Sequence, residues 1–201
     1  FDLNKIKLVT IDIEVAAEDG FPDVFNVAEE LLLITVQDYN TKFITTFGSR
    51  PYKTNPNRKN YRYVDCHSEE GLITTFVDWW QRHTPEVITG WNCEMYDIPY
   101  LMGRMERIMG EKYAKRMSPW GIVRKNEITI MGRANIVYDL AGISVIDYLD
   151  LYKKSPATPN QESFRLDHIA LMELGQQKLD HSEFDTFREF YTGNWQKFVD
   201  Y

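Results

Sequence analysis

An open mixed β-sheet with helices packed on it is the α/β fold class the chain predicts, on three observations. Strand-like runs with short connections come first, and helical and strand-like segments then alternate. The 201 residues, 43% apolar and 14% aromatic, suffice for one domain with a substantial core.

Residues 6–15 alternate and then run apolar with β-branched enrichment, as a central strand does. Residues 31–39 and 42–47 are two further strand-like runs, joined through Asn40-Thr41 as a two-residue hairpin turn. Residues 48–61, with two prolines and several basic side chains, read as a mobile surface loop in which Lys53, Arg58 and Lys59 are solvated. A short strand over 61–66 leads to Ser68, a helix cap ahead of Glu69 and Glu70. The following helix places Leu72, Phe76, Trp79 and Trp80 on one face.

Residues 85–90 form a short buried strand, and a helix then runs from Tyr96-Asp97 to near Gly110. The runs 127–130 and 135–138 predict a hairpin with its tip near Gly132 and Arg133. A strand over 143–151, a breaker over 155–159 and an amphipathic helix over 163–174 follow. The tail carries helical spacing in "EFDTFREFYTG", with Gly193 as its stop.

A net charge of −7 excludes a generic polyanion-coating surface, though not a metal-dependent phosphodiesterase, which must itself concentrate carboxylates. No apolar stretch reaches the roughly 20 residues of a membrane span, and residues 1–7 have no cleavable-signal pattern. Cys66 and Cys93 match no zinc spacing with the four scattered histidines; reduced thiols and a cytoplasmic setting are expected.

Chemistry concentrates in two stretches. In "LVTIDIEV", Asp12 and Glu14 are two apart on a strand, so they project together while Ile13 and Val15 face the packed side. Adjacent carboxylates repel, and a divalent cation with a preference for oxygen ligands removes that conflict. Alone, such a pair also describes a strand ending in two solvated acids. In "ITGWNCEMYDIPYLMGR", a strand passes through a polar turn at Trp91-Asn92 into a helix whose first-turn acid, Asp97, can reach the same place. Read singly, these are a turn former, a core aromatic and a helix-start acid.

The order D-I-E, then N-x-x-x-Y-D-I-P-Y, then "GISVIDYLDLYKK" resembles the proofreading 3′-to-5′ exonuclease domain of family B DNA polymerases, near the T-even bacteriophage type. "EDGFPD" after the first motif is similar to the phage version, and the resemblance extends over nearly the whole chain. It implies an RNase H-like, DnaQ-like fold in which Asp12, Glu14 and Asp97 hold two divalent ions, Mg²⁺ or Mn²⁺. It also implies that Asn92 and Tyr96 support the substrate end, that Phe21 contacts an unpaired terminal base or anchors its loop, and that Arg133 on an extended hairpin lies near DNA. Asp147 and Asp150, three apart, share no face of a flat strand and are read as structural.

The family's third motif is a tyrosine followed four positions later by a metal-binding aspartate. "NWQKFVDY" resembles the approach to it, making Tyr201 that tyrosine; Tyr191 is followed four later by Trp195, which cannot ligate. The expectation is that the last aspartate falls outside residues 1–201, a fragment of a larger polymerase, and that these residues alone hydrolyse DNA weakly or not at all. The partners implied are a single-stranded DNA 3′ end or primer–template DNA, the remaining polymerase domains and, through them, a sliding clamp, with no membrane. Two rivals are a non-catalytic nucleic-acid-binding module of the same fold and a stand-alone nuclease acting on short RNA.

Overall fold

The computed structural model describes residues 2, 5–17, 20–156, 158 and 161–201. Within them the central sheet has six strands in the order β4-β3-β2-β1-β5-β8: β1 (Leu8–Val15), β2 (Leu31–Asp38), β3 (Ile44–Gly48), β4 (Tyr61–Asp65), β5 (Val87–Gly90) and β8 (Ser144–Asp147). The expected mixed α/β fold is present, a central mixed sheet with helices packed on it. Strand β2 runs antiparallel to β1 and β3, whereas β4, β5 and β8 each run parallel to their neighbours. Five strands therefore share one direction, and the carboxyl ends of β1, β5 and β8 meet at one edge, where such sheets bind ligands.

Burial along β1 alternates, with Val9, Ile11, Ile13 and Val15 in the main core and Asp12 and Glu14 turned the other way. Helix α1 (Glu69–His83) begins where the Ser68 hydroxyl accepts the Gly71 N–H at 3.1 Å, and it buries Leu72, Ile73, Phe76, Val77 and Trp80, with Trp79 half-buried. Each such fully buried apolar side chain contributes roughly 1.5–3 kcal/mol. Helix α2 (Asp97–Met109) packs into the same core and tolerates Pro99 because a first-turn N–H has no intrahelical acceptor to lose. The short α3 (Glu111–Ala114) and a 3₁₀ turn follow it.

A smaller aromatic cluster joins Ala16, Leu32 and Leu33 to Phe190, Tyr191, Phe198 and Val199 of α6 (Phe187–Gly193) and α7 (Trp195–Asp200). Thr186 caps α6 and Asn194 caps α7 through side-chain oxygens, so Asn194 separates two short helices just beyond Gly193.

Several expectations change in detail. The connection after β2 is a five-residue turn, because Asp38 Oδ1 accepts both the Thr41 N–H and its hydroxyl, at 2.7 and 2.8 Å, and Lys42 turns left-handed at φ 59°. Loop 48–61 is tied down: Tyr52 and Arg58 bond Asp200 at 2.6 and 3.1 Å, and the Lys53 N–H donates to Gln196. The hairpin is longer than expected, with β6 (Val123–Ile130) and β7 (Arg133–Leu140) meeting at Met131 and Gly132, both at positive φ as a two-residue hairpin turn requires.

The strand expected over 143–151 stops at Asp147, whose carboxylate accepts the Leu149 N–H and starts α4 (Tyr148–Lys154). Helix α5 spans only Leu166–Leu174, because the Ser163 hydroxyl accepts the Arg165 N–H in a preceding turn; it buries Ile169 and leaves Leu171, Met172 and Leu174 exposed. The breaker at 155–159 falls partly outside the described residues, as do Glu18 and Asp19 of "EDGFPD".

Candidate active site

The register of β5 against β1 creates the site. Pairing runs only from Leu8↔Val87 to Thr10↔Thr89, after which β5 ends at Gly90 and the chain turns away. A Cβ at Gly90 would lie 2.7 Å from the Ile11 carbonyl oxygen and 2.8 Å from Cys93 Cβ, so only glycine lets the chain leave this close to β1. Beyond that point β1 has no strand on its β5 side, and a side chain takes the place of one. The Ile13 N–H donates to Asp97 Oδ1 at 3.0 Å in a buried contact. Asp97, the first residue of α2, is thereby held beside the two acids flanking Ile13.

Turn 91–96 sets that helix start. Asn92 adopts a left-handed conformation at φ 65°, its carbonyl accepts the N–H groups of Met95 and Tyr96, and the Cys93 carbonyl accepts that of Ile98.

Asp12 and Glu14 both perturb Asp97, and Asp12 also perturbs Glu14. Burial chiefly, then Asp12 and Glu14, holds Asp97 well above the usual carboxylate range, against the opposing Ile13 hydrogen bond. Burial and then Asp12 push Glu14 up to about 7, while Lys178 pulls the other way. Asp12 keeps an exposed surface, yet protein crowds its remaining sides; this burial raises it and Lys178 opposes. Lys178 holds its proton more tightly than an ordinary lysine: burial works against its charge, but Glu14, Tyr201 and Asp12 outweigh that.

Asp12, Glu14 and Asp97 are thus brought together as one electrostatic group. They are not drawn into ligating positions: among the described residues no three His, Cys, Asp or Glu side chains already form a metal-holding set. Asp97 Oδ1 is committed to the Ile13 N–H. Three clustered oxygen-donor acids are the kind of donor set that suits a hard divalent cation.

A cleft of about 530 Å³ opens over Glu14, lined further by Phe21, Tyr96, Lys178, Phe187 and Tyr201. Phe21 is 82% exposed and its ring centroid lies 4.8 Å from that of Tyr96. Tyr201 packs on His181 and Phe190, with Lys178 Nζ 4.3 Å from its ring centroid. A second groove, about 950 Å³, shares Phe21 and Tyr96 with the first and runs between Asn92, Met131 and Arg133 of the hairpin, and Lys153 of α4. Of the expected site residues, Glu14, Phe21, Tyr96 and Tyr201 line the first space and Phe21, Asn92, Tyr96 and Arg133 the second, while Asp12 and Asp97 line neither.

Two features lack a sequence signal that sequence analysis used. Lys178 sits in an unpatterned polar stretch that nothing distinguishes. Arg104, 8% exposed, bonds Glu69 through Nε and Nη2 at 2.6 and 2.8 Å and donates to the Val27 and Ala28 carbonyls, pinning the chain after Phe21 onto α2. A charged residue on the apolar face of "YLMGRMERIM" was the available clue.

Comparison with known proteins accords with this geometry. The family model described as "DNA polymerase family B, exonuclease domain" matches residues 2–169. The chain is 32% identical over 225 residues to the DNA-directed DNA polymerase of Escherichia phage RB69, covering 100% of this chain and 24% of that protein. It is 36% identical over 140 residues to the DNA-directed DNA polymerase of Enterobacteria phage T4, covering 69% of this chain and 15% of that protein. A DNA polymerase of Invertebrate iridescent virus 6 is 29% identical over 88% of this chain and 15% of its own length. The chain thus spans a quarter or less of these relatives.

Proposed function

Because the chain belongs to the exonuclease-domain family of family B DNA polymerases, we propose that it is the proofreading 3′-to-5′ exonuclease part of a larger replicative DNA polymerase. On this reading it cuts the terminal phosphodiester of single-stranded DNA and removes misincorporated 3′ nucleotides. The observation that carries the reading is the buried Ile13 N–H bond to Asp97 Oδ1, which holds Asp97 beside Asp12 and Glu14 of β1, next to an aromatic-lined cleft bordered by Glu14.

Asp12, Glu14 and Asp97 would hold two divalent ions, which when bound activate a water and offset charge on the departing 3′ oxygen. The protein's own groups do the rest. Phe21 and Tyr96 present ring faces on which an unpaired base can stack, a sequence-tolerant contact. Asn92 and Arg133 flank the groove by which a single strand would arrive, and the exposed Met131 tip offers an apolar edge. Tyr201 and Lys178 close the far side of the cleft, where a hydroxyl and an ammonium can orient a phosphate. The rest of the polymerase, primer–template DNA and, through them, a sliding clamp are the partners, in the host cytoplasm. No helix among the described residues is long and apolar enough to cross a membrane.

The test is calorimetric titration of Mn²⁺ into the chain, followed by 3′-end cleavage of matched DNA and RNA oligonucleotides by a chain extended through the third motif. Mn²⁺ binding that Asp12→Ala abolishes, with DNA cut in preference to RNA, is expected. Absence of binding would favour a non-catalytic module, and preference for RNA an oligoribonuclease.

A further inference from the structure

The acid that organises turn 91–96 lies outside both motifs. Asp147 is 8% exposed at the carboxyl end of β8, directly opposite Gly90 in the parallel register. Its Oδ1 accepts the Asn92 N–H at 3.1 Å and the Leu149 N–H at 2.9 Å, and its Oδ2 accepts the Glu94 N–H at 3.0 Å. The adjacent Ile146 carbonyl takes the Thr89 hydroxyl at 2.7 Å. One carboxylate thus satisfies N–H groups on both sides of the seam between β5 and β8. Two of those donors belong to the turn that aims α2.

We infer that Asp147 is a positioning residue for the carboxylate site: it holds turn 91–96 so that Asp97 reaches Ile13 and stands beside Asp12 and Glu14. The path is short and continuous. Asp147 fixes Asn92 and Glu94, the Asn92 carbonyl takes the N–H groups of Met95 and Tyr96, and Asp97 follows as the first helical residue. The alternative location of such an acid, exposed at the start of α4, would need only the Leu149 bond; two bonds to a different segment serve no cap. Loss of a group that orients metal ligands typically costs about 10- to 100-fold in metal affinity.

The metal consequence rests on the proposed function, whereas the positional claim does not, and the experiment separates them. Amide hydrogen exchange is followed by NMR in wild type, Asp147→Ala and Asp147→Asn, without metal. In Asp147→Ala the Ile13 amide should exchange about tenfold or more faster, as a local opening not shared by the whole domain. The Cys66 amide, bonded to the Gly48 carbonyl at the far end of the sheet, should keep its wild-type rate. Asp147→Asn, retaining one acceptor oxygen, should fall between the two and serves alone if the alanine variant does not fold. Ile13 exchange unchanged in the asparagine variant and in any folded alanine variant, or raised only in step with Cys66, overturns the inference. Where wild type binds Mn²⁺, Asp147→Ala should weaken that binding about 10- to 100-fold; a wild type that binds none fails the functional reading and leaves the exchange result standing on its own.

Discussion

Ile13 and Asp97, 84 positions apart, meet through a single buried hydrogen bond that does the work of a missing strand. Strand β1 needs a partner on its β5 side past Thr10, and the carboxylate at the tip of α2 supplies it. The same bond therefore completes the sheet and gathers the acids.

Replacing Asp97 separates those two roles. Asp97→Ala leaves the Ile13 N–H buried without an acceptor, which costs about 1–3 kcal/mol. Asp97→Asn keeps an acceptor oxygen and removes a charge that burial, Asp12 and Glu14 all disfavour, so without metal it should match or exceed wild type in urea unfolding. Both variants should lose Mn²⁺ binding. An asparagine variant less stable than alanine would contradict the account.

Metal-free stability should fall as pH rises. Burial, then Asp12, lifts Glu14 from 4.5 to about 7 in the folded chain. Between those values the folded state keeps a proton that the unfolded state has released, so stability is lost through that window; Asp12 and Asp97 act in the same direction. Calorimetric scans in EDTA should show Tm declining from pH 5 to pH 7.5, and saturating Mn²⁺ should flatten the decline.

Phe21 should matter for ligand and not for folding. At 82% exposure, its truncation to alanine removes little buried surface and should change stability by no more than about 0.5 kcal/mol. Stacking of one base is worth about 1–3 kcal/mol, so affinity for a short oligothymidine should fall by a comparable amount. A destabilised variant with unchanged affinity would mark Phe21 as a loop anchor.

Breaking the Arg104–Glu69 pair should be expensive. Their side chains are 10% and 11% exposed, and Glu69 also accepts the Leu31 N–H at 2.8 Å. Arg104→Ala strands that carboxylate, at a cost of about 3–5 kcal/mol, frees the Ala28 carbonyl and leaves Val27 with only the longer Arg107 bond. Limited proteolysis should then cut within 22–30 before the sheet is attacked.

Periodicity made most of the framework legible. The alternation in β1 and the capped, one-sided pattern of α1 report local rules that the fold obeys. It failed where side chains captured backbone groups: Asp38 rebuilt a turn, and Asp147 ended a strand that hydrophobicity would have prolonged. Two acids on one strand face and one at a helix start have fixed directions, but read alone they also describe a strand end and a helix cap; the resemblance in motif order is what singled them out. Lys178 was illegible because it reaches the cleft from a stretch without regular structure, where spacing carries no directional information.

That origin of Lys178 bears on how the protein assembles. Folding of the first 150 or so residues brings the acids together, while the ammonium that offsets them arrives from position 178, after α5. Until residue 178 docks, Asp12 and Glu14 lack the ammonium that favours their charged forms. Solution cations would be the natural counterweight during that interval, so folding yield should depend on ionic strength.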